Sequence, residues 1–250
     1  MKQIYEKNEL RFAIVWIVIY VVCMGILRNL GDDSPYMMMG LIVISVLMFL
    51  FVSKNGLMEK YGLSGWAKNN RAMLWFIPLW IIASGNLWGG CSPDYQGAGL
   101  LFAAVSMAFV GFAEELIFRG FLFKAMLKDG SVKAAVVVSS VTFGLGHILN
   151  LFTGHEFFPT LMQAFCAIFI GLIFTFAFYK SGSLLPCILA HSIIDVFSVF
   201  TKSKGPLLDW IYVAVIVILA IAYCLYLRRL ETPAVNRVGR GEEKLSCQAE

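Results

Sequence analysis

The chain has 250 residues, of which 59% are hydrophobic and only 14% are charged, and its mean hydropathy is +0.77. Such a composition excludes an ordinary soluble domain and indicates a polytopic membrane protein. The formal net charge of +4 gives no reason to expect a nucleic-acid partner, because membrane topology accounts for where the basic residues lie.

Eight apolar runs follow one another along the chain, each close to the ~20 residues that a membrane helix requires. They lie at about 12–30, 36–53, 73–89, 98–117, 133–149, 160–179, 184–200 and 207–227. We therefore predict an all-α bundle of about eight transmembrane helices in one membrane domain over residues 1–250, with a disordered tail at 228–250. Residues 119–133 mix bulky apolar residues with spaced lysines, which favours a short helix lying at the membrane interface.

The basic residues predict how this bundle is oriented. With eight spans both termini lie on one side, and that side collects seventeen of the twenty Lys and Arg residues. The other side has Arg28, Lys202 and Lys204. The positive-inside rule therefore places both termini in the cytoplasm, with the chain in the cell membrane.

Three ionisable residues stand in the apolar stretch GFAEELIFRGFLF at 111–123. A charged group at the centre of a membrane helix costs roughly 2.5–3.5 kcal/mol, so Glu114, Glu115 and Arg119 need a reason to be there. Glu115 and Arg119 are four residues apart and face the same way on a helix, whereas consecutive residues diverge by about 100°. We expect Glu114 to face a central cavity and Glu115 to pair with Arg119. For that pair we favour a structural role at the cytoplasmic interface.

The other embedded ionisable residues are two histidines and an aspartate. His147 ends the segment FGLGH, and His191 and Asp195 share one helix face within HSIID. A structural alternative for His147 is a hydrogen bond to a backbone carbonyl across the closely packed Gly144 and Gly146.

The predicted topology separates these groups in depth. Glu114 lies toward the cytoplasmic end of the fourth span, while His147 lies toward the outer end of the fifth. Three arrangements would bring them together: the fourth helix continues beyond residue 117, the segment 119–133 folds back into the bilayer, or the fifth helix begins after residue 133.

The remaining polar residues receive structural interpretations. Asn86 and Gln163 are expected to form interhelical hydrogen bonds, and His155 and Glu156 are expected to be solvated in a loop. None of the six cysteines shows a CxxC spacing, which argues against a disulfide framework and against a thiolate metal site.

The embedded set suits hydrolysis. A carboxylate in a cavity of low dielectric constant is a good general base for water, and two imidazoles can bind a metal or stabilise an oxyanion. Glu114, His147, His191 and Asp195 would also suffice as ligands of a divalent metal such as zinc. The sequence contains neither the HExxH motif of zincins nor the GxSxG motif of serine hydrolases.

Three segments together carry a resemblance to a known family. EELIFR at 114–119, FGLGH at 143–147 and HSIID at 191–195 resemble the motifs EExxxR, FxxxH and HxxxN of the CAAX prenyl protease and bacteriocin-processing family, also called the Abi family. Their order and spacing also fit, over residues 98–200 and spans four to seven. The resemblance implies an intramembrane endopeptidase with a catalytic cavity opening toward the cytoplasm. The short loops and the compact length favour a bacterial member.

The resemblance also implies roles for individual residues. Glu114 resembles the catalytic glutamate that activates water, His147 and His191 resemble its partners, and Glu115 with Arg119 resembles the supporting pair. Asp195 departs from the family pattern, because eukaryotic prenyl proteases have Asn at this position. Its negative charge beside His191 would favour either a positively charged imidazole or a bound cation.

The implied substrate is a membrane protein or peptide in the lipid bilayer. Two functions from other classes compete with proteolysis. A non-catalytic scaffold or immunity factor could retain the same fold and motifs. An ion-coupled transporter would also bury Glu, His and Asp, but such proteins usually show repeated halves with broken helices, and we find none in the sequence.

Overall fold

The computed structural model describes residues 1–129, 131–153, 156–201 and 205–237. Throughout these ranges the chain is helical or in loops, and its single β-type backbone pairing is a bridge between Cys91 and Thr201. The prediction of an all-α membrane protein is confirmed. The predictions made for His155 and for residues 238–250 lie outside the described residues.

The described residues form ten α-helices joined by short loops and tighter or wider helical turns. The α-helices are α1 (Lys2–Lys7), α2 (Glu9–Arg28), α3 (Pro35–Lys54), α4 (Ile77–Ser84), α5 (Gly97–Glu115), α6 (Lys124–Asp129), α7 (Val132–Gly146), α8 (Phe157–Ser181), α9 (Leu185–Ser198) and α10 (Gly205–Leu227). A π-helical segment covers Leu116–Phe123, and 3-10 turns cover Leu74–Phe76, Gly85–Leu87, His147–Thr153 and Ala234–Asn236.

All eight predicted apolar runs are helical, but they differ in length. Within the described ranges, six helical segments are long and apolar enough to cross a membrane, and two apolar segments, Leu74–Leu87 and Leu185–Ser198, are shorter. At 1.5 Å per residue the 14 residues of α9 reach only about 21 Å, less than the ~30 Å of a hydrocarbon core. The expectation of about eight full spans is thus corrected to six long helices and two short ones, α4 and α9, which pack against each other.

The fourth span does not end at residue 117. Helix α5 continues through the π-helical segment Leu116–Phe123 into α6, giving one apolar helical stretch of 32 residues, Gly97–Lys128. Every residue of the π-helical segment is buried, because it packs between α2 and α7. The predicted interfacial helix at 119–133 is therefore wrong. Of the three arrangements considered, the continuing helix is the one observed, and it places Glu114 near the middle of the stretch.

The core beside the π-helical segment is aromatic. The Phe121 ring meets the rings of Phe12 and Tyr61 at centroid distances of 5.0 and 5.1 Å, and the Trp16 ring lies 6.3 Å away. These contacts fix α2 against the wide helical turn, since offset and edge-to-face rings pack with defined geometry.

One face of the bundle, here called the terminal face, holds the start of α2 and the end of α10. There Lys60 of the 55–73 loop contacts Glu9 at 2.5 Å, and Lys180 Nζ donates to the Leu230 carbonyl at 2.5 Å. Asn236 is fully buried and donates to the Phe178 carbonyl at 2.9 Å. A disordered tail beginning at 228 is therefore wrong for residues 228–237, which pack against this face.

The opposite face is formed by the loops at the other ends of the helices. The 88–96 loop is joined to the end of α9, because Ser92 N donates to the Phe200 carbonyl at 2.9 Å and Asp94 N to the Val199 carbonyl at 3.1 Å. Arg28 at the end of α2 donates to Asn150 in the turn after α7.

Candidate active site

The close packing of α5 on α9 brings the first and the third motif together. A Cβ atom on Gly111 would lie 2.6 Å from the Ser192 backbone nitrogen and 2.7 Å from its Oγ. Ser192 Oγ also donates to the Ala108 carbonyl at 2.8 Å. Glycine at 111 therefore sets the distance between the helix that carries Glu114 and Glu115 and the helix that carries His191.

We expect Gly111→Ala to destabilise the protein by about 1–3 kcal/mol, the usual cost of overpacking, and to reduce any hydrolytic rate by moving His191 away from Glu115. The matched control is Gly25→Ala, since a Cβ atom there meets nothing within 4 Å. Thermal unfolding in detergent would compare the two variants. Equal stability of both would contradict this account of the helix contact.

Glu115 and Arg119 form a fully buried ion pair. Arg119 Nη1 lies 2.8 Å from Glu115 Oε1, and both side chains are 0% exposed. The structure thus brings the two residues together as their spacing predicts, but not at an interface: the pair lies inside the bundle. Among the described residues, Arg119 Nε and Nη2 and Glu115 Oε2 have no hydrogen-bond partner.

Aromatic rings complete the Arg119 pocket. The guanidinium lies 4.1 Å above the Phe143 ring and 5.6 Å from the Phe174 ring, positions that favour cation–π attraction. A Cβ atom on Gly171 would come within 3.2 Å of Arg119 Nη2. The pocket fits this one side chain. Aromatic ring faces contact the guanidinium, two of whose nitrogen atoms have no hydrogen-bond partner among the described residues.

Glu115 also holds His191. Its Oε1 lies 2.8 Å from His191 Nδ1. A carboxylate only accepts hydrogen bonds, so Nδ1 carries a proton and Nε2 points away from Glu115. A carboxylate that orients an imidazole in this way is a recurring feature of catalytic and metal-binding histidines.

The remaining motif residues line one cavity of about 1040 Å³. His191 Nε2 lies 3.8 Å from Glu114 Oε2 and 3.4 Å from Asp195 Oδ2. Glu114 Oε1 accepts a hydrogen bond from the Tyr20 hydroxyl at 3.0 Å. Of the two adjacent glutamates, Glu114 faces the cavity and Glu115 faces Arg119, as the helical geometry predicts.

His147 lines the same cavity but stands apart from this cluster. Its Nδ1 lies 3.2 Å from the Phe143 carbonyl, one turn earlier in its own helix, and not across from another helix. Within the described part of the chain, no hydrogen bond or ion pair joins His147 to Glu114, His191 or Asp195. The Phe143 ring separates the two histidines, 5.1 Å from one and 5.5 Å from the other.

Part of the chain that includes this cluster matches a known protein family. Residues 96–197 match the family model described as type II CAAX prenyl endopeptidase Rce1-like. This part of the chain is similar to the Rce1-like family. No curated protein and no solved structure matches the chain.

The match confirms the resemblance read from the three motifs. All six motif residues lie within the Rce1-like segment: Glu114, Glu115, Arg119, His147, His191 and Asp195. The family is a protease family, which supports an enzyme embedded in a membrane. A bacterial origin stays a prediction.

The donor chemistry of the site suits a divalent cation, but the spacing of the donors does not. His147 and His191 each use Nδ1 for a carbonyl or carboxylate partner, which leaves both Nε2 atoms for a ligand. Across the described residues, however, no three side chains of His, Cys, Asp or Glu come together with metal-ligand spacing. These side chains would have to move to hold a cation, and zinc stays a prediction.

The structure also contains the hydrogen bonds predicted for Asn86 and Gln163. Asn86 Nδ2 donates to the Ile194 carbonyl of α9 at 2.8 Å, and Asn150 Nδ2 donates to Gln163 Oε1 at 3.1 Å. Both hydrogen bonds join separate elements, as predicted. The first one also anchors the helix that carries His191 and Asp195.

The sequence interpretation missed residues that act through others. Tyr20 is 94 positions from Glu114. The one sequence feature that pointed to it is a hydroxyl group within the apolar run of α2. Phe143 belongs to the FGLGH segment, but its role as the ring between Arg119 and two histidines requires the packed structure. The importance of Gly111 likewise depends on a helix contact that no local pattern reveals.

The cavity extends to the opposite face, away from both ends of the described chain. Its lining includes residues at the helix ends on that face: Asn29, Asp32, Asp94, Tyr95, Phe158 and Asp209. Cytoplasmic termini and a cavity that opens toward the cytoplasm therefore exclude each other. The first prediction rests on the charge of this chain, and the second rests on the family resemblance.

Cys91 offers a direct test of orientation, because it is exposed and lies on the opposite face beside Thr201. Following the charge distribution, we expect a membrane-impermeant maleimide to label Cys91 in right-side-out vesicles, in a Cys247→Ser background. The control is Ser64→Cys in the additional background Cys91→Ser, since Ser64 is exposed in the 55–73 loop of the terminal face. Labelling of Cys91 from the inside only would place the termini outside and the cavity in the cytoplasm.

Proposed function

We propose that this protein is an intramembrane endopeptidase that hydrolyses peptide bonds with a water molecule activated by Glu114. One observation carries the proposal: within the cavity, Glu114 Oε2 and His191 Nε2 face each other across 3.8 Å. That gap is too long for a direct hydrogen bond and suits a water that contacts both atoms. The match of residues 96–197 to the model of a protease family supports the same reading.

The proposed first step is general-base catalysis. Glu114 takes a proton from the water while the water oxygen attacks the carbonyl carbon of the scissile bond. His191, held by Glu115 at Nδ1, keeps its Nε2 beside the attacking oxygen. A positioned general base typically contributes a factor of about 10²–10⁴ to the rate.

The second step breaks the carbon–nitrogen bond. The tetrahedral intermediate collapses, and the departing amine takes the proton that Glu114 received. The intermediate's oxyanion needs positive charge or a hydrogen-bond donor at the Nε2 atoms of His147 or His191. Protonation of an imidazole would supply it.

The supporting pair has an indirect part in this scheme. Arg119 fixes Glu115, Glu115 fixes the ring of His191, and His191 faces the water. Asp195 Oδ2 lies 3.4 Å from His191 Nε2 on the cavity side, where its negative charge would attract a proton or a cation held at that nitrogen. We therefore assign Glu115 and Arg119 to positioning, and Glu114, His147, His191 and Asp195 to the reacting centre.

The substrate class can be tested with two fluorogenic peptides that differ in one group. Both end in a CAAX box, and one carries a farnesyl chain on the cysteine. We expect the purified protein in lipid nanodiscs to cleave the farnesylated peptide after the modified cysteine. Cleavage of only the unmodified peptide would keep an endopeptidase and remove the prenyl specificity. Cleavage of neither by folded protein would favour a scaffold or immunity factor.

A further inference from the structure

Helix α2 lies outside the segment that matches the family, yet it supplies a side chain to the reacting centre. The Tyr20 hydroxyl donates to Glu114 Oε1 at 3.0 Å. The Tyr20 side chain is only 5% exposed and lines the cavity. A buried tyrosine hydroxyl needs a polar partner, and here that partner is the proposed catalytic base.

The position of Tyr20 along α2 is fixed by a buried stripe. Phe12, Trp16, Tyr20 and Met24 recur every four residues and are all buried, so they share the inward face of the helix. Phe12 and Trp16 pack against the Phe121 ring. The π-helical segment that follows Glu115 thus sets the depth at which the Tyr20 hydroxyl meets Glu114.

The hydrogen bond makes the two Glu114 oxygens different. A terminal carboxylate torsion is broad and rotates readily when nothing holds it. With Oε1 engaged by Tyr20, Oε2 is the oxygen that faces His191 Nε2. We propose that Tyr20 is a positioning residue that holds the Glu114 carboxylate with Oε2 toward the attacking water. The inference rests on the proposed role of Glu114 as the base.

The first test requires no substrate. Infrared difference spectra between the wild type and Glu114→Gln isolate the carboxylate bands of Glu114 at one fixed pH. The same pair of spectra is then recorded in a Tyr20→Phe background and in a Tyr223→Phe background. Tyr223 is the matched control, since its buried hydroxyl donates to the Met73 carbonyl at 2.7 Å. We expect the Glu114 bands to move in the Tyr20→Phe background and to stay in place in the Tyr223→Phe background.

The second test uses whichever CAAX peptide the wild type cleaves. Tyr20→Phe is expected to lower kcat roughly tenfold, the scale of one hydrogen bond to a charged group, with KM nearly unchanged because the substrate itself is not contacted. Tyr223→Phe should retain the wild-type kcat.

The possible outcomes separate the two proposals. Unmoved Glu114 bands, or an unchanged kcat for Tyr20→Phe beside an inactive Glu114→Gln, would overturn the positioning role and leave the proposed function standing. Full activity of Glu114→Gln would overturn the proposed function, while the infrared bands would still report whether Tyr20 holds this carboxylate.

Discussion

Replacing Glu114 by glutamine is expected to lower the rate of peptide hydrolysis by roughly 10²–10⁴-fold. Glutamine keeps the shape of the side chain and can still accept from the Tyr20 hydroxyl, but it cannot take a proton from water. The fold should survive, because the side chain of Glu114 lies at the cavity with 16% exposure and has no ion pair with Arg or Lys among the described residues. Hydrolysis of the fluorogenic peptide, measured at matched protein concentration, gives the ratio.

The matched control is the same chemical change elsewhere, Glu156→Gln. Glu156 is exposed just before α8 and does not line the cavity. We expect its rate to equal that of the wild type. A Glu114→Gln variant that hydrolyses the peptide as fast as the control would remove Glu114 from the reaction.

Replacing Arg119 by methionine is expected to cost about 3–5 kcal/mol of unfolding free energy. The reason is an asymmetry of buried ion pairs: forming one gains little, because both charges lose water, but removing one partner strands the other charge in the interior. Here Glu115, which is 0% exposed, would lose the guanidinium and keep only the His191 imidazole as a partner. The midpoint of thermal unfolding in detergent measures the loss.

The chain provides its own comparison for this change. Lys2 and Glu6 have the same four-residue spacing, but their side chains are 68% and 58% exposed. Lys2→Met should therefore change stability by less than about 0.5 kcal/mol. The double variant Glu115→Gln with Arg119→Met should recover part of the loss, since no charge is then stranded. Equal small effects of Arg119→Met and Lys2→Met would contradict a buried pair.

The positions of the helices follow from the sequence because hydrophobic runs report burial in lipid directly. Four-residue spacing also placed Glu115 beside Arg119 and His191 beside Asp195, since both pairs are local. The end of the fourth helix was not predictable in this way. An apolar stretch such as 111–123 looks the same whether the helix stops at 117 or widens into a π-helical turn and continues.

Contacts between distant parts of the chain account for what the sequence missed. Glu115 reaches His191 across 76 positions, and Tyr20 reaches Glu114 across 94. Such contacts depend on how closely two helices approach. For α5 and α9, Gly111 permits the close approach, since a Cβ atom there would lie only 2.6 Å from the Ser192 backbone nitrogen. A hydrophobic pattern does not reveal how closely two helices approach. The three motifs predicted the candidate site residues, and the packing shows which side chains they contact.

The central claim is that Glu114 activates water for the hydrolysis of a peptide bond. It is tested most directly by terminal-peptide proteomics of membranes from cells that express the wild type or Glu114→Gln at matched levels. We predict new protein chain ends that occur with the wild type and vanish with the variant, and these ends would also identify the substrate and the cleavage site. Identical chain ends in both samples, with both proteins folded and a shared cellular phenotype, would contradict the claim and indicate a non-catalytic scaffold.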